Sequence, residues 1–443
     1  MQSVTVVGAG LAGCEAAWVL AEHGVLVTLC EMKPERYSPA HQSDFFAELV
    51  CSNSLKADRV STAGGLLKAE MRLLGSLLLE VAERVRVPAG GALAVDRSAF
   101  AEQVTARILA HRFIQVRREE VRAIPPGPVI LATGPLTADA LAGQIALLCG
   151  DALSFYDAAA PIVEGGSVNM EKAFFAGRYG RGEDDYLNCP LNREEYERFY
   201  NALLAAQTAE LHAFDKASPT VYEGCMPVEV MARRGMDTLR FGPMKPVGLR
   251  DPATGHRPWA VVQLRRENRT GTLYNLVGFQ TNLKFGEQKR VFGMIPGLER
   301  AEFARYGVMH RNTFLDSPRL LDSTFALRKE PRISFAGQIT GVEGYMESAA
   351  SGLLAAHNML RWLQGQPGIW LPEQSMLGAL SAYVSDVTVE NFQPMGANMG
   401  LLPPLPERIK GKQERYEALA ARALAAVQSA LDQQGVLPKQ GRE

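Results

Sequence analysis

Several features that would classify the chain at once are missing. Its 443 residues carry 47 Lys and Arg against 48 Asp and Glu, a net charge of −1. No global basicity therefore points to nucleic acid. No apolar run approaches the roughly 20 residues of a membrane-spanning helix, so no membrane is expected. The apolar start has no basic stretch before it and does not read as a secretory leader. Six cysteines, Cys14, Cys30, Cys51, Cys149, Cys189 and Cys225, are scattered through the chain. They form no C-x-x-C and no metal-spaced set, so no metal site is expected, and reduced thiols in a cytoplasmic protein are expected over disulfides. Internal repeats and long low-complexity tracts are also absent.

What is present begins at once. Val4–Glu31 reads VTVVGAGLAGCEAAWVLAEHGVLVTLCE. A short apolar strand runs into Gly8, Gly10 and Gly13, a G-x-G-x-x-G, and then into a helix ended by Gly24. A second apolar strand closes on Glu31. The first glycine suits a tight turn, the second a close approach to a pyrophosphate, and the third helix-on-strand packing. The helix N-terminus offers free N–H groups to phosphates, and Glu31 is placed for ribose hydroxyls. Strand, glycines, helix, strand and acid in series indicate dinucleotide binding. Further on, PVILATG at Pro128–Gly134 is a strand ending at Thr133 and Gly134, a turn that favours FAD over NAD. A strand into Ala336-Gly337-Gln338, a glycine-rich loop with Gly344, and a helix from Tyr345 to about Leu363 then return to the nucleotide fold. No second G-x-G-x-x-G exists, so NADPH or NADH either binds transiently without its own nucleotide fold or is not used.

The expected fold is α/β: a Rossmann-type FAD-binding domain of the two-dinucleotide-fold, glutathione-reductase-like kind, with an inserted α+β domain. Residues 1–165 and 325–443 would form the discontinuous FAD-binding domain, and residues 166–324 the insertion. Apolar spacing predicts one helix over Gly64–Val87, another over Ser98–His111, and a late packing helix over Gly411–Gln434. Phe113–Arg122 reads as extended, Met32–Leu55 as loop, and Phe155–Val168 as turn-rich. Ala260–Leu264 and Tyr274–Gly278 read as strands of the insertion.

Two cysteines stand out by context. Cys51 in LVCSNSLK and Cys225 in YEGCMPVEVMARRG sit beside turn formers and hydroxyl or amide groups, while Cys14 and Cys30 read as core. A core role is the plainer reading for any cysteine, but loop thiols near a flavin suit nucleophilic, acid–base or redox work. The second signal is local charge. From Arg257 to Arg332 fourteen Lys and Arg face seven Asp and Glu. Arg265, Arg266, Arg269, Lys284, Lys289, Arg290, Arg305 and Arg311 form its centre, with Tyr274, Phe279, Phe285, Phe292 and Tyr306 interleaved. Such a stretch is either a solvated face or a polyanion-binding surface.

GAGLAGCEAAW, LVCSNSLK, VDRSAF, VILATGPLT, FYDAAAPIV, YEGCMPVEVMARRG, RFGPMKPVGL, LVGFQTNLKFGEQKRVF and FAGQITGVEGYMESAASGL together resemble the bacterial folate- and FAD-dependent tRNA (uracil-5-)-methyltransferases, from the N-terminus to about residue 400. A related family, the FAD-dependent wobble-uridine modification enzymes, shares the nucleotide fold but is much longer. The resemblance implies methylation of the T-loop uridine of tRNA, position 54, at C5. It implies FAD as cofactor, 5,10-methylenetetrahydrofolate as carbon donor and NADPH or NADH as reductant. Cys225 would attack C6 and Cys51 would take the C5 proton, or the two roles are reversed. Tyr345 would stack on the isoalloxazine or on a pterin, unless it is a plain core tyrosine. Lys284, Lys289 and Arg290 would meet tRNA phosphates. No obligate protein partner is implied. The rival readings are an FAD-dependent thiol or amine oxidase with a Cys51/Cys225 redox pair, and a non-catalytic FAD-containing RNA-binding protein.

Overall fold

The computed structural model describes residues 2–150, 153–158, 160–180, 185–209, 226–268, 270–389 and 392–436. Strand β1 (Ser3–Val7) and strand β2 (Leu26–Glu31) pair in parallel, with Val4 opposite Val27 and Val6 opposite Leu29. Helix α1 (Leu11–Glu22) connects them.

The stretch predicted as one helix over Gly64–Val87 forms two, α2 (Ala63–Leu73) and α3 (Leu77–Arg84). Gly75 turns the chain at φ +78°, and the Ser76 hydroxyl caps α3 by accepting from Leu79 N at 3.2 Å. Glu15 reaches over from α1 and accepts from Leu77 N at 3.0 Å and Leu78 N at 3.2 Å. A helix cannot satisfy its own first N–H groups, so a carboxylate there replaces the missing acceptors. The glycine stop and serine cap outweigh an apolar spacing that runs on through them. Helix α4 (Arg97–Leu109) follows, capped by Asp96 through Ala99 N at 3.1 Å. Strand β3 (Ile114–Arg118) then pairs with β2, and β4 (Val129–Leu131) with β1, both in parallel.

The chain next builds a second sheet. Leu153–Ala158, inside the region read partly as turn-rich, is a strand paired antiparallel with Met309–Phe314. Between those two segments lie β5 (Ile162–Glu164), β6 (Phe174–Phe175), β7 (Tyr186–Leu191), β8 (Ala260–Arg266), β9 (Leu273–Leu276) and β10 (Phe303–Arg305). They form an antiparallel sheet in the order β6-β7-β8-β9-β5-β10. Helices α5 (Arg193–Ala205) and α6 (Phe285–Phe292) cover it. Tyr196, Phe199, Val291 and Phe292 join the strand interiors in one buried cluster that runs from Val163 to Ala301.

Strand β11 (Ile333–Phe335) rejoins the first sheet beside β4, giving the parallel order β11-β4-β1-β2-β3. This is the expected Rossmann-type α/β arrangement. Helix α7 (Tyr345–Leu363) then crosses α1. A Cβ on Gly352 would lie 2.2 Å from Ala12 O, so the two helices meet at a distance only glycine allows. Helices α8 (Met376–Ser385) and α9 (Lys412–Gln433) complete the first body, α9 burying Leu419, Ala423, Val427 and Leu431. The buried members of its cluster come from Val4–Ile145 and Phe314–Leu431. Among the described residues no helix is long and apolar enough to cross a membrane.

Candidate active site

The glycine turn is fixed by backbone contacts. A Cβ on Gly13 would fall 1.8 Å from Gly8 O, so the helix sits directly on the turn. Gly10 differs: a Cβ there meets nothing within 4 Å, because it faces a cavity of about 440 Å³. Glu31 holds the same turn, accepting from Ala9 N at 2.8 Å and Lys33 N at 3.0 Å. A carboxylate offers about four acceptor positions, so these two bonds leave capacity for ribose hydroxyls. Gly8, Gly10, Glu31, Thr133, Gly134, Gly337, Gly344 and Tyr345 all line this one cavity, and so does Cys51. Gly13 does not; it lies beneath the turn. Gly10 precedes α1 and Gly344 precedes α7, so two helix N-termini open on the cavity, both suited to negative charge.

Cys51 is anchored by Tyr345. The Tyr345 hydroxyl accepts from Cys51 N at 2.7 Å and Ser52 N at 3.2 Å, and lies 3.0 Å from Cys51 Sγ. Burial, the nearby Cys51 and its hydrogen bond hold the phenol well above its ordinary range, while Arg97 pulls the other way. Arg265 of β8 donates to Ser52 Oγ at 2.7 Å and to Asn53 Oδ1 at 2.8 Å. Asn53 in turn donates to Val95 O at 2.9 Å and Arg266 O at 2.8 Å. The thiol segment is thus held by side chains from α7 and from the second sheet. Elsewhere burial, with nearby carboxylates, pushes the Cys14 thiol up. It also raises Cys30 and Cys149 to about 11 and Cys189 to about 12, so these four stay protonated and unreactive at neutral pH.

The family model described as glucose inhibited division protein A matches residues 3–367. The chain belongs to this family. A relative from Desulfitobacterium hafniense is 58% identical over 97% of this chain and 98% of its own length. Another, from Halalkalibacterium halodurans, is 56% identical over 96% and 98%. Both are named methylenetetrahydrofolate--tRNA-(uracil-5-)-methyltransferase TrmFO. Among solved structures, GidA from Aquifex aeolicus in its form II crystal superposes with a TM-score of 0.70 at 15% identity. It covers 99% of this chain and 74% of that one, a likeness of fold.

The remaining expectations divide. Cys225 lies outside the described residues. Lys284, Lys289 and Arg290 sit at and along α6 on the exposed surface and do not line the cavity. Lys284 Nζ donates to Gln207 at 3.1 Å, and Arg290 pairs with Glu287 at 2.6 Å. The basic stretch is not one surface. Arg265 is buried against Ser52 and Asn53, and Arg305 is mostly buried with a long 3.4 Å bond to Ala40 O. Arg265 turns inward because Ser52 Oγ and Asn53 Oδ1 present acceptors there, and Arg305 turns toward the Ala40 carbonyl. Several cavity-lining residues were not anticipated from sequence. Lys33 is buried, donating to Phe45 O at 2.6 Å and pairing with Glu48 at 3.2 Å. Lys56 pairs with the buried Glu347 at 2.9 Å. In KPERY and NSLKA these lysines look like ordinary solvent-facing residues, and no spacing signal marks them. Arg97 could have been found: it sits within VDRSAF directly after the Asp96 cap.

Proposed function

We propose that the chain methylates C5 of the T-loop uridine, position 54, of tRNA, with FAD as cofactor, 5,10-methylenetetrahydrofolate as carbon donor and NADPH or NADH as reductant. The reading is carried by one conjunction: a cavity that opens on the glycine turn also holds the Cys51 thiol, in a chain 58% identical to a named folate-dependent tRNA uracil methyltransferase.

The residues present fit FAD. Gly10 leaves room for a pyrophosphate beside the α1 N-terminus, Glu31 has acceptor capacity for a ribose, and the α7 N-terminus meets the cavity through Gly344 and Tyr345. FAD would supply two-electron redox chemistry there. The chain's own residues supply the rest. C5 of uracil is a poor nucleophile until a thiolate bonds C6 and the C5=C6 electron pair moves onto C5 and O4. C5 then bonds the one-carbon unit of 5,10-methylenetetrahydrofolate, whose C=N bond opens. A base takes the C5 proton, and the C–H pair forms an exocyclic C5=CH2 bond as the CH2–N bond breaks and its pair stays on the carrier nitrogen. A hydride equivalent drawn from NAD(P)H adds to that methylene to give the methyl group, and the C5=C6 bond re-forms as the C6–S bond breaks. Cys225 is proposed as the C6 nucleophile and Cys51 as the proton acceptor.

Position 54 is buried in the folded elbow of tRNA and must be flipped out, at about a few kcal/mol. We read residues 1–165 with 325–443 as the FAD-binding body and residues 166–324 as the tRNA-binding insertion. Two separate buried clusters support that division. Lys284, Lys289 and Arg290 are its candidate phosphate contacts, and the tRNA substrate argues for a cytoplasmic site of action.

The test is to incubate the purified protein with unmodified tRNA, 5,10-methylenetetrahydrofolate and NADPH, then digest the tRNA and look for 5-methyluridine by mass spectrometry. Folate-dependent 5-methyluridine that is lost in Cys51→Ala and Cys225→Ala is the expected result. Flavin reduction by NADPH with no 5-methyluridine would move the thiol or amine oxidase reading forward.

A further inference from the structure

Behind Cys51, out of the cavity, lies a half-buried arginine with no part in the chemistry above. Arg97 Nη1 donates to Leu49 O at 2.6 Å, two residues before Cys51. Its Nε donates to Glu267 Oε2 at 2.8 Å, and its backbone N donates to Glu267 O at 3.3 Å. Glu267 directly follows β8, so this one side chain joins the thiol segment to the second sheet. Arg97 Nη2 and Glu267 Oε1 are both buried with no hydrogen-bond partner among the described residues. A guanidinium that could form five bonds is therefore held in place by two, with both Nη2 donors unspent.

We propose that Arg97 is a positioning residue for Cys51: it fixes the Leu49–Asn53 segment against the second sheet and supplies the positive charge that favours the thiolate needed to accept a proton.

Among the described residues the charged and titratable groups around Cys51 are mostly cations and donors. Tyr345 faces it from α7. Its hydroxyl oxygen already accepts two backbone N–H groups, which uses both lone pairs. Its proton is left for Cys51 Sγ at 3.0 Å, making the sulfur an acceptor. Arg97 faces it from the start of α4 and Arg305 from β10, and both feel the Cys51 and Tyr345 charges. Arg265 reaches the segment through Ser52. Against these stand Glu267, whose charge offsets Arg97, and Glu48, which lies on the same loop and faces Arg305. Among the described residues, three arginines and one phenolic donor stand against two carboxylates, of which Glu48 already pairs with Lys33 at 3.2 Å, and this balance favours the charged sulfur.

The inference rests on the methyltransferase reading for the purpose of the thiolate, but its test does not use methyl transfer. The rate of Cys51 alkylation by iodoacetamide is followed against pH in the full-length flavoprotein, with the Cys51 peptide quantified by mass spectrometry. Arg97→Gln should raise the midpoint by about one pH unit, about ten-fold less thiolate at a fixed pH below it. Arg97→Lys should restore most of the shift. Glu267→Gln should move the midpoint the other way, because it removes the charge that offsets Arg97. An unchanged midpoint in these variants, or an upward shift in both Arg97→Gln and Glu267→Gln, would overturn the proposal and leave Arg97 a purely structural tie. If Arg97→Gln does not fold, Glu267→Gln decides alone: a downward shift supports the proposal and any other result refutes it. Failure of the methyltransferase reading would show separately, as absent 5-methyluridine with the alkylation shifts intact.

Discussion

The cavity has two regions of different construction. Around the glycine turn, positions are set mainly by backbone approach within the first 31 residues, Gly13 on Gly8 O and Gly8 N to Cys30 O at 2.8 Å, with the Glu31 carboxylate accepting from Ala9 N. Around Cys51, they are set by side chains drawn from distant parts of the chain, Tyr345, Arg265 and Arg97, together with the neighbouring Asn53. The first region needs particular backbone shapes and tolerates no added atoms. The second needs particular donors and acceptors and tolerates changes of shape better than changes of partner. The consequence is that errors in the first should appear as loss of fold or flavin, and errors in the second as loss of chemistry with flavin retained.

Gly13→Ala should break the first region outright. The new methyl would meet backbone, not the end of a flexible side chain, so α1 must leave the turn. A cost on the order of 4 kcal/mol or more is expected, read as loss of soluble, yellow protein. Gly10→Ala is the control that sharpens the contrast, since its Cβ meets nothing within 4 Å. Its thermal midpoint without flavin should match the parent, while flavin retention falls because the methyl occupies the space of the phosphates. Equal behaviour of the two variants would remove the distinction between packing and ligand approach.

The glycine region is not purely backbone, and pH exposes its exception. Glu15 on α1 is fully buried, and burial raises its pKa from the ordinary 4.5 to about 7 despite the bonds from Ser76, Leu77 and Leu78. The folded state therefore holds this proton more tightly than the unfolded chain. That stability is present below about pH 4.5 and is lost as pH rises through about 7, on the order of 3 kcal/mol. Glu70, which caps α8 through Met376 N and Leu377 N, behaves alike. His357 opposes both: burial lowers it to about 4, so its contribution grows as pH rises from about 4 to its ordinary 6.5. Glu15→Gln isolates one term. Urea unfolding at pH 5 and pH 8 should show a smaller fall in stability for the variant than for the parent; equal falls would contradict burial as the cause.

The Cys51 region predicts the complementary pattern. Arg265→Met keeps the stem of the side chain in place but leaves Ser52 Oγ and Asn53 Oδ1 without their donor. A stability cost of about 1–2 kcal/mol is expected, with flavin content unchanged and 5-methyluridine formation at least about ten-fold slower. Flavin loss in step with activity would mean that the two regions are not separable.

What could be read from sequence follows the same division. The glycine fingerprint, the strand into Thr133–Gly134 and helix α7 were legible because backbone geometry demands specific residues at short, fixed intervals. The break at Gly75–Ser76 was also written in the residues, but the run GLLKAEMRLLGSLLLEVAERV keeps its apolar period across it and conceals the caps. The tie between Arg265 and Cys51 was not legible: 214 positions separate them, and an inward arginine has the same letter as an outward one. Counting charge found the basic stretch but could not sort Arg265 and Arg305 from Lys289.

That sorting leads to the smallest effect. Lys289 and Arg290 remain on the surface of α6, outside the cavity. Lys289→Glu with Arg290→Glu should weaken tRNA binding about ten-fold at moderate salt and lower the slope of log affinity against log salt by about two, with flavin content and Cys51 alkylation unchanged. The two positions should not contribute equally. Arg290 already pairs with Glu287 at 2.6 Å on the solvent-facing side of the helix, so a phosphate must displace that carboxylate. Lys289→Ala alone should therefore lower the salt slope more than Arg290→Ala alone. If neither single variant changes the slope, α6 is a solvated face, and tRNA must reach the cavity across another part of the second sheet.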